Sequence, residues 1–484
     1  MRRILLPALL GVLGTTANAS AWIEPDDLAL RHDIQLLSDY GLLPIPTSSW
    51  PLRWRNVQQS LIPLAADAEP MVQQAYRRLR GALDAYSLRQ GRPSTTLSTT
   101  VGKGRMLLQG FGPTQRSESS AQVAIAADAG PLEGRLAYST ATPSAPDFHA
   151  FDHSYLGGNA GNWNVGVDLL ERWWGPGWDG SLILSNNPHP LPTLSLQRNH
   201  TAPFDSRWLH WLGPWDLNVR FGQFEQARTV PRGQFFAARL VFQPLSGLEV
   251  GLSRAAQWGG EGRSNDLDAF INMLLGQDNG PSDGHTADEP GNQLGGYDVR
   301  WGITPARLAL YGQLIGEDES VMLPTAKMLL AGIEHWGVIR EQSFRLFFEY
   351  ADTATYRGLD FGGAPGYNTA YNHHVFYDGY RYYGDALGHS ADNDTIIRSL
   401  GLVTTNSRGW SSQFIVRRGT INRDDAGQNL VSNGEKMELR EWSIRIGKRR
   451  DAIEGFVQFG NSRRESVSGE ADENIVSAGV EVSL

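Results

Sequence analysis

The sequence predicts a mainly β protein: a transmembrane antiparallel β-barrel preceded by a small helical region. Three observations carry that prediction. The first residues have the form of an export signal. No later stretch is an uninterrupted apolar run of about 18 residues, the length that a membrane-spanning helix needs. From residue 93 onward, apolar and polar residues alternate in short segments separated by turn residues, the pattern of strands with one apolar and one polar face.

The signal comes first. Arg2 and Arg3 supply its positive region, Ile4 to Leu13 its apolar region, and Ala17-Asn18-Ala19 places cleavage before Ser20. The residue after that site is not cysteine, so no lipoprotein anchor is indicated. Residues 20–92 then read as a helical region, expected in the periplasm. Pro25-Asp26-Asp27 opens a helix on which Leu30, Ile34 and Leu37 recur at helical spacing, and Gly41 ends it. A second helix is expected from a cap at Asp67 to Ser87, with Val72, Tyr76, Leu79 and Leu83 on one face. Both read as amphipathic, and helices this short need a partner surface.

Residues 93–484 form the expected barrel, with about 17 to 19 strand-like segments. Trp163, Val165 and Val167 share a face, as do Leu217, Val219 and Phe221. Phe235 to Phe242 and Leu248 to Leu252 read as a hairpin around Pro244-Leu245-Ser246-Gly247. Val476, Ala478, Val480, Val482 and Leu484 form the apolar face of a terminal strand. The other faces carry Arg220, Gln223 and Glu225 on one segment and Arg440, Ser443 and Arg445 on another, all expected in a polar lumen. The chain has 15 Trp and 15 Tyr, enough for aromatic girdles at two membrane interfaces. A soluble β-sandwich is the competing reading of the pattern. The mean hydropathy of −0.34 does not decide against a barrel, whose strands hide their apolar character by alternation. The export signal places such a barrel in the outer membrane of a Gram-negative cell. Trp258 to Gly295 reads as a long loop. Its apolar piece Phe270 to Leu275 is expected as a short helix folded into the lumen or onto the rim, and Asp278, Asp283, Asp288 and Glu289 as solvated acids.

Composition removes several function classes. The 52 acidic residues outnumber 43 basic ones, so no nucleic acid partner is expected. There is no cysteine, hence no disulfide or thiolate metal site. Neither a Gly-x-Ser-x-Gly elbow nor a His-Glu-x-x-His motif is present. Glu171 with Asp179, or Glu225 with Asp216, are the carboxylate pairs available for glycoside chemistry, but nothing in the sequence fixes their separation. His373 and His374 are adjacent and would face opposite sides of a strand, so they are poor joint metal ligands. The expectation is a protein that is not an enzyme, with no catalytic residue, no metal and no cofactor.

The candidates for carbohydrate binding are aromatic. Glu171-Arg172-Trp173-Trp174-Gly175-Pro176-Gly177-Trp178-Asp179 surrounds a Gly-Pro-Gly turn with three indoles. A sugar ring offers an apolar face to stack on such rings, and its hydroxyls need acids, amides or arginine. Trp208 and Trp211, near His210, form a second group, and Tyr380 with Arg381 a third, within Asp378-Gly379-Tyr380-Arg381-Tyr382. Packing inside the barrel or anchoring at its rim is the competing role for each.

These blocks resemble the Wzi family of outer-membrane capsule-assembly proteins. The resemblance runs from Asp33-Ile34-Gln35-Leu36-Leu37-Ser38-Asp39-Tyr40-Gly41 and Thr47-Ser48-Ser49-Trp50-Pro51-Leu52, through Trp173 to Gly177 and Gly180 to Asn186. It ends at Asp378 to Tyr382, Gly388-His389 and Asp392-Asn393-Asp394. It implies a monomeric barrel of about 18 strands with a periplasmic helical bundle. The implied function is an outer-membrane lectin that attaches a secreted polysaccharide, capsule or exopolysaccharide, to the cell surface. It fixes no sugar-contact set residue by residue. The expected partners are surface polysaccharide, outer-membrane lipids and lipopolysaccharide, the barrel-assembly machinery and polysaccharide export proteins. A channel for a saccharide or another small solute is the other function in play, and an open or filled lumen separates the two.

Overall fold

The computed structural model describes residues 20–113, 115–142, 147–274, 291–320, 323–357 and 363–484. The expected signal at residues 1–19 lies outside them, as do Leu275, Asp278, Asp283, Asp288 and Glu289.

Eighteen antiparallel strands close into one barrel. The last, Gly469–Ser483, pairs with the first, Ser94–Lys103, with Val482 opposite Leu97. Closure leaves no unpaired sheet edge, which is what permits strands to cross a membrane. Alternation decides what faces where. On the strand Trp215–Gln223, Asp216, Asn218 and Arg220 are buried inside while Phe221 is exposed outside. The outer wall is apolar around the circumference: Val101, Ile125, Leu136, Val167, Leu194, Leu252, Leu310, Leu346, Leu400, Val457 and Val476 all lie exposed. In water this belt would be an unstable surface; in lipid it is the required one.

The same period corrects two details. Gln223 and Arg440 were expected in the lumen beside Arg220 and Ser443. Each stands three residues from that neighbour, and an odd spacing puts two side chains on opposite faces. Gln223 and Arg440 are both exposed on the outside, the latter beside Trp442, while Leu439 and Glu441 point in. The apolar piece of the long loop is the helix Leu267–Leu274. It packs on the outer wall at the rim, where Phe270 meets Phe221, Phe236 and Trp258, and so does not enter the lumen.

One end of the barrel has mostly tight turns, with residues 199–214 as its one long connection among the described residues, and the other end has most of the long loops. The helical region closes the tight-turn end. Helix α1 is Leu28–Asp39, with the Asp27 carboxylate accepting from the Leu30 amide at 2.9 Å as its N-cap. Helix α2, Trp54–Ser60, carries no sequence signal strong enough to have been expected. Helix α3, Pro70–Ser87, begins on proline at its first position, so Asp67 is not its cap. Val72, Leu79 and Leu83 are buried on its expected face.

Helix α1 departs most from an amphipathic surface helix. Ile34, Leu36 and Leu37 are buried, but so are Arg31, His32, Asp33, Gln35, Ser38 and Asp39. Its polar side faces the polar wall of the barrel instead of water. Asp39 pairs with Arg300 at 2.6 Å, Arg300 with Glu334 at 3.0 Å, and Glu334 also with Arg345. His32 bonds Ser343 at 2.8 Å. Glu249 accepts from the amides of Thr47 and Ser48 at 2.7 and 2.8 Å, and Arg53 binds Glu133 at 2.5 Å. The helices are thus keyed to the barrel by buried charge pairs, which tolerate no half-removal. Replacing Asp39 by Ala leaves Arg300 with one buried partner where it had two. Docking of residues 20–92 is expected to weaken by about 3–5 kcal/mol. Limited proteolysis checks this: the helical region becomes cleavable while the barrel keeps its heat-modifiable migration on gels.

Candidate functional site

The lumen is occupied by segment 169–192, which enters from the long-loop end between strands Trp163–Asp168 and Thr193–Arg198. Trp173-Trp174 forms a two-residue antiparallel ladder with Ser49-Trp50 of the helical region. The Gly175 amide extends it to the Ser48 carbonyl at 2.9 Å. The Gly-Pro-Gly turn needs its glycines. Gly175 sits at φ +138°, and a Cβ on Gly177 would lie 2.1 Å from the Gly180 carbonyl oxygen. At the turn Arg31 of α1 donates to the Pro176 carbonyl at 2.9 Å, its guanidinium 4.2 Å from both the Phe111 and Trp178 ring centres. The insertions from the two ends of the barrel therefore meet in the middle.

The wall holds the insertion by its backbone. Glu349 accepts from the Trp178 amide at 2.8 Å and the Asp179 amide at 3.2 Å. Gln313 accepts from the Leu182 amide at 2.8 Å and donates to the Trp174 carbonyl at 2.9 Å. Asp179 itself is clamped by Arg417 at 2.6 Å and Ser399 at 2.5 Å. Burial opposes its charge, but these donors hold its carboxyl below the usual range. Glu171 pairs with Arg116 at 2.7 Å. Arg172 pairs with Asp168 and donates to Thr193 Oγ1 at 2.7 Å. Both carboxylates of the Glu171/Asp179 pair are thus committed to arginines.

Loop 363–395 closes over the insertion from the long-loop end. Tyr371 and Tyr380 donate their hydroxyls to the Leu182 and Ile183 carbonyls at 2.8 and 3.0 Å. The Ser185 amide donates to Leu387 at 2.8 Å. Arg381 grips Asp392 with two bonds, at 2.7 and 2.9 Å, and Asn372 at 2.8 Å. His389 is buried against Gly180, where an added Cβ would approach its ring to 2.8 Å. Burial lowers its pKa to about 4.

The residues singled out in the sequence thus separate into two sets. Glu171, Arg172, Trp173, Trp174, Trp178, Asp179, Tyr380 and Arg381 come together as one network. It is closed: Trp173 and Trp174 are 0% exposed and Trp178 1%. No face of these indoles is left for an incoming sugar, so they serve as the plug's packing and not as a stacking platform. Trp208 and Trp211, 73% and 63% exposed, lie at the opposite, tight-turn end. Trp211 packs beside Phe242, at the position of an aromatic girdle. Among the described residues of the long loops, the exposed tyrosines are Tyr367, Tyr377 and Tyr383, with Tyr377 70% exposed. Asp378 beside them caps the Thr229 amide at 2.7 Å. Tyr377 and Tyr380 stand in the same tyrosine run. The turn at Gly379, φ +68°, sends one up and the other down, and such a turn is not legible from residue types. Nearby, His189 bonds Asp152 at 2.5 Å and its ring stacks on His149 at 3.7 Å. Their ligand atoms lie within 4.8 Å of one another, in a hydrogen-bonded polar network that joins two loops.

A cavity of about 80 Å³ lies between segment 106–113, Leu28, Trp178 and the barrel wall at Phe347, Gln413 and Arg417. It has room for several waters.

A family model described as capsule assembly protein Wzi matches residues 88–474. An uncharacterized 55.8 kDa protein of the cps region of Klebsiella pneumoniae is 32% identical over 422 residues, 84% of this chain and 79% of that relative. Among solved structures, this chain is similar to Wzi, an outer membrane protein involved in group 1 capsule assembly in Escherichia coli and a carbohydrate-binding β-barrel. That match has a TM-score of 0.80 at 24% identity and covers 96% of this chain and 99% of that one. At that identity the likeness carries the fold.

Two outcomes follow from the geometry. Gly177→Ala forces a backbone clash in the lumen, costing about 1–3 kcal/mol. Near-ultraviolet circular dichroism should lose the signal of the buried tryptophans while the barrel stays folded. His389, neutral when folded, has a folded pKa of about 4 against about 6.5 unfolded. Its contribution is complete above about pH 6.5 and is lost toward pH 4, at about 1.4 kcal/mol per pH unit. Hydrogen-exchange protection of loop 363–395, taken relative to the intrinsic exchange rate at each pH, should fall between pH 7 and 5 in the wild type, and His389→Gln should flatten that response.

Proposed function

Because the chain belongs to the capsule assembly protein Wzi family, we propose that it binds a secreted polysaccharide, capsule or exopolysaccharide, and promotes its attachment to the cell surface. It is an outer-membrane barrel that acts by non-covalent retention, as a lectin and not as an enzyme. The observation that carries this reading is the filled lumen beneath a folded, tyrosine-bearing loop surface. Such a molecule presents a surface to polymer and offers no path through itself. Tyr367, Tyr377 and Tyr383 supply stacking faces, and Asp378, Arg232 and Glu261 supply hydrogen-bonding groups at the same end. Weak contacts repeated along a polymer add up through avidity, so no deep pocket is required.

The buried network around Trp173 to Asp179, with Tyr380 and Arg381, then supports this surface from below. In the same reading, residues 1–19 are a removed signal, residues 20–92 face the periplasm and meet export proteins, and the barrel-assembly machinery inserts residues 93–484. Outer-membrane lipids and lipopolysaccharide surround the belt.

The test is binding of the purified, detergent-solubilised protein to the host's own surface polysaccharide, with unrelated polysaccharides as controls. Selective, saturable binding without shortening of the polymer is expected. Tyr377→Ala with Tyr383→Ala should weaken it roughly tenfold, at about 1 kcal/mol or less for each ring contact. Correctly folded protein without selective binding would sink the lectin reading, and shortened polymer would sink the non-enzymatic one.

A further inference from the structure

Outward-facing arginines form a row that the polysaccharide reading does not use. On four consecutive strands, Arg398 lies directly opposite Arg418, Arg418 opposite Arg440, and Arg440 opposite Arg463. Arg398, Arg418 and Arg440 are exposed. Neighbouring strands are about 4.8 Å apart, so the row extends over roughly 15 Å. Like charges directly opposite one another on a sheet repel. Among the described residues, only Arg463, at the end of the row, has carboxylate partners: Glu465 at 3.0 Å and Glu470 at 2.8 Å. Arg398 rests instead against the ring of Tyr350, with its guanidinium 5.6 Å from the ring centre.

The row's height on the wall identifies what it meets. Two residues toward the tight-turn end, on the same outward face, stand Leu400, Val416 and Trp442, all exposed and all part of the apolar belt. Two residues the other way stand Ile396, Thr420 and Glu438, with Thr420 donating to Glu438 at 2.7 Å. The arginines therefore mark the upper edge of the belt at the long-loop end, where acyl chains give way to headgroups. At that depth the available anions are phosphates carried by lipid, and each guanidinium offers a planar fork of donors suited to a phosphate.

We propose that Arg398, Arg418 and Arg440 form a binding site for the phosphorylated headgroup of an outer-leaflet lipid, whose acyl chains lie on Leu400, Val416 and Trp442. A headgroup with two phosphates fits best, because several adjacent cations need neutralising. The site sits on the outer wall, below the loop surface, and depends on the barrel's place in the membrane and not on what its loops bind.

The test uses the full-length chain in detergent and native mass spectrometry. Bisphosphorylated lipid A is the probe, with its dephosphorylated form and inorganic phosphate as comparisons. Wild type should retain the bisphosphorylated lipid, retain the dephosphorylated form far less, and resist competition by inorganic phosphate at matched concentration. Arg398→Gln, Arg418→Gln and Arg440→Gln should each weaken retention roughly fivefold, and the triple variant should abolish it. Replacing Arg408 and Arg450, exposed at the tight-turn end, should leave retention unchanged. Unaltered heat-modifiable migration and polysaccharide binding separate a lost lipid site from a lost fold or a lost glycan surface. Equal retention by wild type and the triple variant, or equal retention of the dephosphorylated lipid, would overturn the proposal. So would displacement by inorganic phosphate alone.

Discussion

The architecture depends on a contact made in the middle of the barrel. Ser49-Trp50, carried in from one end, pairs as a strand with Trp173-Trp174, carried in from the other. Arg31 seals the join through the Pro176 carbonyl and the rings of Phe111 and Trp178. An 18-stranded ring is too wide for its own side chains to fill. Unless something else fills it, such a barrel is a water channel. Here two insertions do so, each covering the other's polar backbone. Neither helical region nor loop insertion has a complete set of hydrogen bonds without its counterpart.

The wall accommodates this by carrying charge where most folds carry hydrocarbon. Arg220, Arg239, Arg300, Arg345 and Arg417 are buried in the interior, each against at least one carboxylate. Buried pairs contribute little net stability over apolar packing, but breaking one is costly. They act here as keys that fix register. Glu349 and Gln313 fit one backbone path through the lumen, and Asp39 fits one seat for the helical region. A barrel whose outer wall must be apolar for lipid has its polar residues left for the inside, and the plug is built to match.

Much of this was legible in the sequence, for physical reasons. Strand alternation survives without knowledge of partners, so the barrel, its belt and the opposite faces of Arg220 and Phe221 could be read directly. Gln223 and Arg440 face outward because each stands an odd number of residues from the inward-facing Arg220 and Ser443. The helical faces of α3 were readable, but the all-round burial of α1 was not, because its polar side meets a wall assembled from residues hundreds of positions away. The Trp-Gly-Pro-Gly segment stood out as irregular and aromatic. Whether its rings were displayed or buried depended on the non-local ladder to Ser49-Trp50, which no local pattern encodes. Exposed Tyr377 stands among buried tyrosines for a related reason: the turn at Gly379 sets its direction against that of Tyr380.

The meeting of the two insertions closes the lumen. Planar-bilayer recording of the full-length protein tests it most directly. A quiet membrane, with no steady open level, is expected from protein whose insertion and fold are confirmed. A stable ohmic conductance from that same preparation would contradict it, because ions would then have a continuous aqueous path past Arg31 and Trp178.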